Sequence, residues 1–135
     1  MIDYDKLIES LGAELGIEAR FNDEDLCELA IGESTVLSIE RRAGDGTLLL
    51  TSAVADDVPD PVDYALVLDL LEFGLGSAIN GTPAIGRDTE SGIVVAYQTI
   101  GATALQKASI GEIVVGFLRF RDAMARKLGA ADKPA

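Results

Sequence analysis

The sequence has no histidine and no tryptophan, one cysteine, and half as many basic as acidic side chains. Each shortage excludes some chemistry. Without His there is no imidazole general base, no His-based catalytic triad and no His metal ligand. The lone Cys27 cannot close an internal disulfide, and no second thiolate exists to build a zinc site. One cysteine also suits a reducing compartment. The 11 Lys and Arg against 23 Asp and Glu leave a formal net charge of −12. Such a surface repels phosphate backbones and anionic lipid headgroups, so neither nucleic acid nor a membrane is an expected partner. No apolar run approaches the ~20 residues that span a bilayer. The opening Met-Ile-Asp-Tyr-Asp-Lys lacks the basic and then apolar segments of a signal peptide. The expectation is a soluble cytoplasmic protein with no metal and no cofactor.

Against these absences stand 135 residues, 48% of them apolar and 25% charged. That suits a single domain, which at this size buries roughly two-thirds of its unfolded surface. The charge is uneven. Residues 1–104 hold 20 acidic and 5 basic side chains, whereas 105–135 hold 3 and 6. The acidic field belongs to the body of the domain, where it serves solubility or steers a positively charged partner.

Hydrophobic spacing sets out the elements. Asp3 caps a first helix in which Tyr4, Leu7, Ile8, Leu11 and Leu15 recur at intervals of three and four, and Gly16 stops it. Asp25–Ile31, Thr35–Arg41 and Thr47–Val54 read as three strands joined by Gly32-Glu33-Ser34 and Gly44-Asp45-Gly46, an antiparallel meander. Alternation sets Cys27, Leu29 and Leu37 on one face, with Leu26 and Val36 on the other. Asp60 as cap and Pro61 as first residue open a second helix through Phe73, followed by a loop over residues 74–81. Only Asp63, Asp69 and Glu72 are charged in that helix, so it must be buried on nearly all sides, in part by a second subunit. Thr82–Arg87 and Gly92–Ile100 read as two further strands. A third helix starts at Thr103 or Ser109, each with a capping-box partner (Gln106, Glu112), and ends at Gly129. The expected fold is α+β, in the order α-β-β-β-α-β-β-α, an antiparallel sheet flanked by helices. Residues 1–129 form the domain and 130–135 a flexible tail.

No reaction centre emerges. Gly74-Leu75-Gly76 follows a helix, whereas a dinucleotide loop follows a strand. Asp56, Asp57, Asp60 and Asp63 lack the spacing and terminal Glu of a calcium loop. Cys27 has apolar neighbours and no activating base, which makes it a small core residue. An enzyme is not expected.

Leu70-Leu71-Glu72-Phe73 followed by Ala84-Ile85-Gly86-Arg87-Asp88-Thr89-Glu90-Ser91-Gly92 and the apolar Ile93-Val94-Val95 resembles the class I type III secretion chaperones, the Tir-chaperone-like group. Their pattern is a leucine-rich helix end, an Asn, a glycine-containing loop and Gly-Leu-Asp-x-x-x-Gly before an apolar strand. Length, acidity and element order agree over about residues 3–128. Gly74 stands in place of the Asn, and Arg87 in place of an apolar residue. The resemblance implies a homodimer in the bacterial cytoplasm. It would bind the N-terminal segment of a secreted effector, extended and without ATP, with the ATPase of the secretion apparatus as a further candidate partner. Leu66, Leu70 and Phe73 are the candidate dimer contacts. Leu11, Leu15, Leu26 and Val36 are the candidate effector contacts, expected to share one apolar surface. The competing reading is an acidic inhibitor or immunity-type protein that neutralises a folded basic partner.

Overall fold

Alternation along a strand decides which face is buried, and burial alternates along the first three strands. The computed structural model describes residues 2–42 and 44–132, the side chains of 130–132 excepted. Helix α1 (Tyr4–Leu15) precedes strands β1 (Leu26–Ile31), β2 (Thr35–Arg42) and β3 (Thr47–Ala55). Helix α2 (Tyr64–Asn80) leads to β4 (Ala84–Arg87) and β5 (Val94–Ile100). A short α3 (Ala102–Lys107) and a long α4 (Ile110–Asp132) close the chain. The five strands form one antiparallel sheet in the order β1-β2-β3-β5-β4. The α+β class and the element order are therefore those read from the sequence, except that α3 and α4 stand where one helix was expected. The Ser109 start holds, its hydroxyl accepting from Glu112 N at 3.1 Å in front of α4, whereas Thr103 caps nothing: it lies inside α3, which starts after Gly101 with no side-chain cap.

The core lies on one side of this sheet. Cys27, Leu29, Leu37, Ile39, Leu48, Leu50, Val94, Ala96 and Ile100 point to it. Ile8 and Leu11 from α1 and Val114, Phe117, Met124 and Leu128 from α4 close over them. Helix α4 lies across β3 and β5, and α1 packs beside α4. Helix α2 sits against β4, with Leu66 buried and the Phe73 ring edge-on to Phe120, centroids 5.1 Å apart.

Strands β1, β4 and β5 begin later than the sequence reading has them, at Leu26, Ala84 and Val94, and the helix boundaries differ as well. The cap of α2 is Asp63, whose carboxylate accepts from Ala65 N, so Asp60 and Pro61 lie outside the helix. Residues 74–80 are not a loop: α2 runs through Gly74 and Gly76 to Asn80 and stops at Gly81. Packing of Leu66, Leu70 and Phe73 on the core holds the preceding turns, and the helix extends past the glycines despite their poor helix propensity. Gly129 does not end α4, which continues to Asp132. Of the tail expected over 130–135, residues 133–135 lie outside those described.

Gly12 is fixed by close approach. Helix α1 ends at Gly16 in the left-handed conformation (φ 73°), and Ile17 N then donates back to Gly12 O at 2.9 Å. The returning chain crosses Gly12 so tightly that a Cβ there would lie 2.6 Å from Ile17 O and 2.9 Å from Ala19 Cβ. The obstacle is backbone and cannot rotate away. Gly12→Ala is therefore expected to lower unfolding stability by about 1–3 kcal/mol. A urea melt measures this, and an unchanged midpoint would show that the turn can shift.

Candidate functional site

Among the described residues the side chains with reactive chemistry lie apart. Cys27 is buried, and desolvation pushes its thiol up despite a weaker opposing hydrogen bond from the Arg20 backbone. A thiol held protonated is a poor nucleophile. Among the described residues no three His, Cys, Asp or Glu are grouped to hold a metal ion. What the described residues do leave is apolar surface without cover, most of it in three places.

The first is the end of α1. Ala13, Ile17 and Ala19 line a depression of about 330 Å³, with Glu9, Glu18 and Arg20 also on it. Ile17 is exposed. It lies outside the sequence candidates because the helical pattern ends at the Gly16 cap. An isoleucine directly after a helix-ending glycine was the available signal.

The second is the outer face of the sheet. Leu26, Glu28 and Ala30 of β1, Val36, Ser38 and Glu40 of β2, and Leu49, Thr51 and Ala53 of β3 point away from the core. Val36 is 49% exposed, and Ala30 and Ala53 are exposed too. Val36, Thr51, Ala53 and Val95 line a depression of about 290 Å³ at the end of this face. The β2–β3 ladder stops at Ser38 and Thr51. Beyond it, the Ser52 hydroxyl donates to Val36 O at 2.8 Å. Arg121 of α4 donates to Ala53 O from Nε at 3.2 Å and Nη2 at 3.0 Å. Side chains thus satisfy carbonyls that strand pairing leaves free.

The edge of β1 belongs to this surface. Arg41 N donates to Asp25 O at 2.8 Å, which makes Asp25 and Arg41 a hydrogen-bonded pair. By alternation Cys27 and Leu29 also bond across to β2, so Leu26, Glu28 and Ala30 turn their N–H and C=O groups outward. Asn22 has already taken those of Leu26. Its backbone N–H donates to Leu26 O at 2.8 Å, and its side-chain oxygen accepts from Leu26 N at 3.0 Å. The edge is closed at Leu26 and free at Glu28 and Ala30. Arg41 braces the closed end: it donates to Asp25 and Asp5, and its guanidinium lies 4.6 Å from the centre of the Phe21 ring.

The third surface is the outer side of α2. Tyr64, Val67, Leu68, Leu71, Leu75 and Ile79 are all exposed, Leu71 by 66% and Ile79 by 69%. Two ion pairs tie down this helix and the connection before it. Lys127 Nζ donates to Asp69 at 2.6 Å. Arg87 Nε donates to Asp57 at 2.9 Å, joining β4 to the connection before α2.

The candidate residues separate on this structure. Leu11 is fully buried in the core and offers nothing to a partner. Leu15 is half-buried against that core, on the helical side of the sheet. Leu26 and Val36 do share the outer face. Val36 pairs with Ala30, however, which puts it about 13 Å along β1 from Leu26. The four do not form one surface. Of the α2 residues, Leu66 is buried and Leu70 and Phe73 pack on the core, so they face the monomer's interior. The open side of the helix is the opposite one.

Comparison with known proteins agrees with this architecture. The model of the Tir chaperone protein (CesT) family matches residues 6–121. No curated protein matches. The HopA1–SchA chaperone–effector complex contains a chain similar to this one, at 21% identity and a TM-score of 0.73, covering 93% of this chain and 99% of that one. The complex of the Yersinia pestis type III secretion chaperone SycH with a stable fragment of YscM2 is similar at 17% identity and a TM-score of 0.71, with coverage of 93% and 99%. For the ExsC–ExsE complex the values are 20%, 0.71, 93% and 92%. At these identities the likeness is one of fold. No helix among the described residues is long and apolar enough to cross a membrane.

The tie before α2 sets a pH dependence. Arg87, and secondarily the Val58 N–H, hold the Asp57 carboxyl below its ordinary range. The Glu90 N–H and the Ser91 hydroxyl do the same for Asp88. A carboxyl lowered on folding contributes its full stability above its unfolded pKa of about 4, and loses it as pH falls through the folded value. The parent should lose this contribution below about pH 4. Asp57→Asn should be less stable than the parent at pH 7, with the gap closing toward pH 3. Denaturant midpoints across that range test it, and a gap that stays constant with pH would contradict it.

Proposed function

Because the chain belongs to the Tir chaperone protein (CesT) family, we propose that it is a type III secretion chaperone. It binds the N-terminal segment of a secreted effector in the bacterial cytoplasm and keeps it extended and ready for export. It uses no ATP, metal or cofactor of its own, and it is not an enzyme. The family match over residues 6–121, from α1 into α4, carries this reading. The surfaces described above support it. An unfolded segment needs apolar pockets and backbone partners spread over a scaffold, and the depression at Ile17, the outer sheet face and the free edge of β1 supply both.

The segment is held as an added strand against Glu28 and Ala30, with alternate apolar side chains turned onto Val36 and its neighbours. Leu15 and Leu26 are half-buried contributors at the margins of these surfaces, and Leu11 supports them from the core. The acidic surroundings draw in a segment with basic residues and raise its association rate. The working unit is a homodimer joined through the outer side of α2. The ATPase of the secretion apparatus is a candidate receiver of the loaded complex.

Capture of bound proteins from the native cell, followed by hydrogen exchange on the complex, tests the reading. A partner bound through an extended N-terminal segment supports it. An intact folded basic domain held in its native state would instead make the chain an inhibitor.

Two sets of variants sharpen the test. Ile17→Asp and Val36→Asp should weaken binding about 10–100-fold, the equivalent of one buried apolar side chain, with the melting temperature kept. Ala30→Pro, which removes an edge N–H and leaves the β2 ladder intact, should act likewise. Leu11→Asp should unfold the domain. Leu71→Glu should leave a folded monomer in sedimentation, and a Leu71→Glu protein that stays dimeric would move the subunit contact elsewhere.

A further inference from the structure

The seam between β2 and β3 is shorter than the two strands that form it. Ser38 pairs with Thr51, and the same register would next set Val36 opposite Ala53. Leu37 bonds across to Leu29 of β1, so by alternation Val36 turns its N–H and C=O toward β3, as Ser38 does. The bond that would continue the ladder runs from the Val36 N–H to Ala53 O, but the ladder stops before that pair. Side chains hold both carbonyls instead. Val36 O accepts from the Ser52 hydroxyl at 2.8 Å, and Ala53 O accepts from Nε and Nη2 of Arg121 at 3.2 and 3.0 Å. Among the described residues no side chain accepts from the Val36 N–H.

We infer that Arg121 is a strap: it holds the end of β3 off β2 and keeps the seam open at Val36 and Ala53. A guanidinium that gives one carbonyl two charge-assisted bonds outcompetes a single neutral N–H for it. The strap is itself held. The Arg121 side chain is only 15% exposed, and its remaining Nη1 pairs with Asp122 at 3.0 Å. The β3–β5 register also shifts between Ala53 and Ala55, a bulge that bends β3 at this point, and Arg121 fixes where the bent strand rests. When Arg121 lets go, Ala53 O can accept from the Val36 N–H, the ladder gains a rung, and the depression of about 290 Å³ over Val36 and Ala53 narrows. With the strap in place, the Val36 N–H stays a donor beside the hydroxyls of Ser34, Ser38 and Thr51, open to an acceptor on whatever lies in that depression. Helix α4 belongs to the core side of the sheet, yet through Arg121 it sets the width of a feature on the outer face. The strap is a property of the free protein and does not depend on a segment binding there.

Amide hydrogen exchange on the parent, Arg121→Met and Arg121→Lys tests this. Each Val36 rate is taken relative to Leu37, which bonds to β1 whether the seam is open or closed, and calorimetry checks that each variant is folded. In the parent, Val36 should exchange at close to the rate of an unprotected amide. Arg121→Met keeps the apolar stem and removes the donors, so Val36 should slow about 10-fold relative to Leu37 as the new rung forms. Arg121→Lys can give Ala53 O one bond in place of two and should slow Val36 less; it carries the comparison if Arg121→Met does not fold. Ser52→Ala removes a bond from the same seam without touching Arg121 and should leave Val36 fast. A Val36 amide already protected in the parent overturns the open seam. Unchanged fast exchange in the folded Arg121 variants overturns the strap and assigns the opening to the bulge. Slowing in Ser52→Ala as large as in Arg121→Met overturns it too, because Ser52 would then be what holds the strands apart.

Discussion

Five strands present two faces, and the helices of this chain cover one. Phe117, Val114, Met124 and Leu128 of α4, with Ile8 and Leu11 of α1, are spent on sealing the side of the sheet that carries Leu29, Leu37, Ile39, Leu48 and Leu50. Helix α2 is occupied with β4 and with Phe120 at the flank. Most other features follow from that one-sided cover. The outer face stays open, the first strand keeps a free edge, and the far side of α2 has nothing against it.

Open apolar surface in an acidic protein is a balance of two tendencies. Burial would draw copies of the chain together indiscriminately, and a net charge of −12 keeps them apart. The distribution of that charge decides which contacts survive. Glutamates stand around the α1 depression and on the outer sheet face, so a partner there must tolerate or complement negative charge. The exposed side of α2 is nearly free of charge, which suits contact between identical surfaces. A chaperone of the Tir family thus has room for two kinds of association on one small domain, separated by their electrostatics.

Strands were legible in the sequence because a period of two has only two answers. Cys27, Leu29 and Leu37 had to oppose Leu26 and Val36, and they do. Helix α1 was legible as an element, but its stripe did not reveal that Leu11 is sealed and Leu15 only half so. Helix α2 was the hardest. Apolar residues on every side give a hydrophobic pattern with no direction, so Leu66, Leu70 and Phe73 could not be told from Leu68, Leu71 and Leu75. Its glycines also read as a loop, and only packing against the core shows the helix continuing to Asn80. The depression at Ile17 and the Asn22 block depend on how the chain turns after α1, which no local pattern encodes.

The Asn22 block has a bearing on what this protein avoids. An open edge strand is a template for any chain with a free edge of its own, including another molecule of the same protein, and end-to-end growth of sheets is the usual outcome. Here the usable edge has been cut to a stub around Glu28 and Ala30, with Glu24 and Glu33 close by in sequence and Asp25 beside it. Two such stubs would bring acid against acid over too short a length to hold. A foreign segment with basic residues meets no such barrier. The same few residues that narrow the edge therefore set it against self-pairing, while the N–H and C=O groups of Glu28 and Ala30 stay free for a segment of opposite charge.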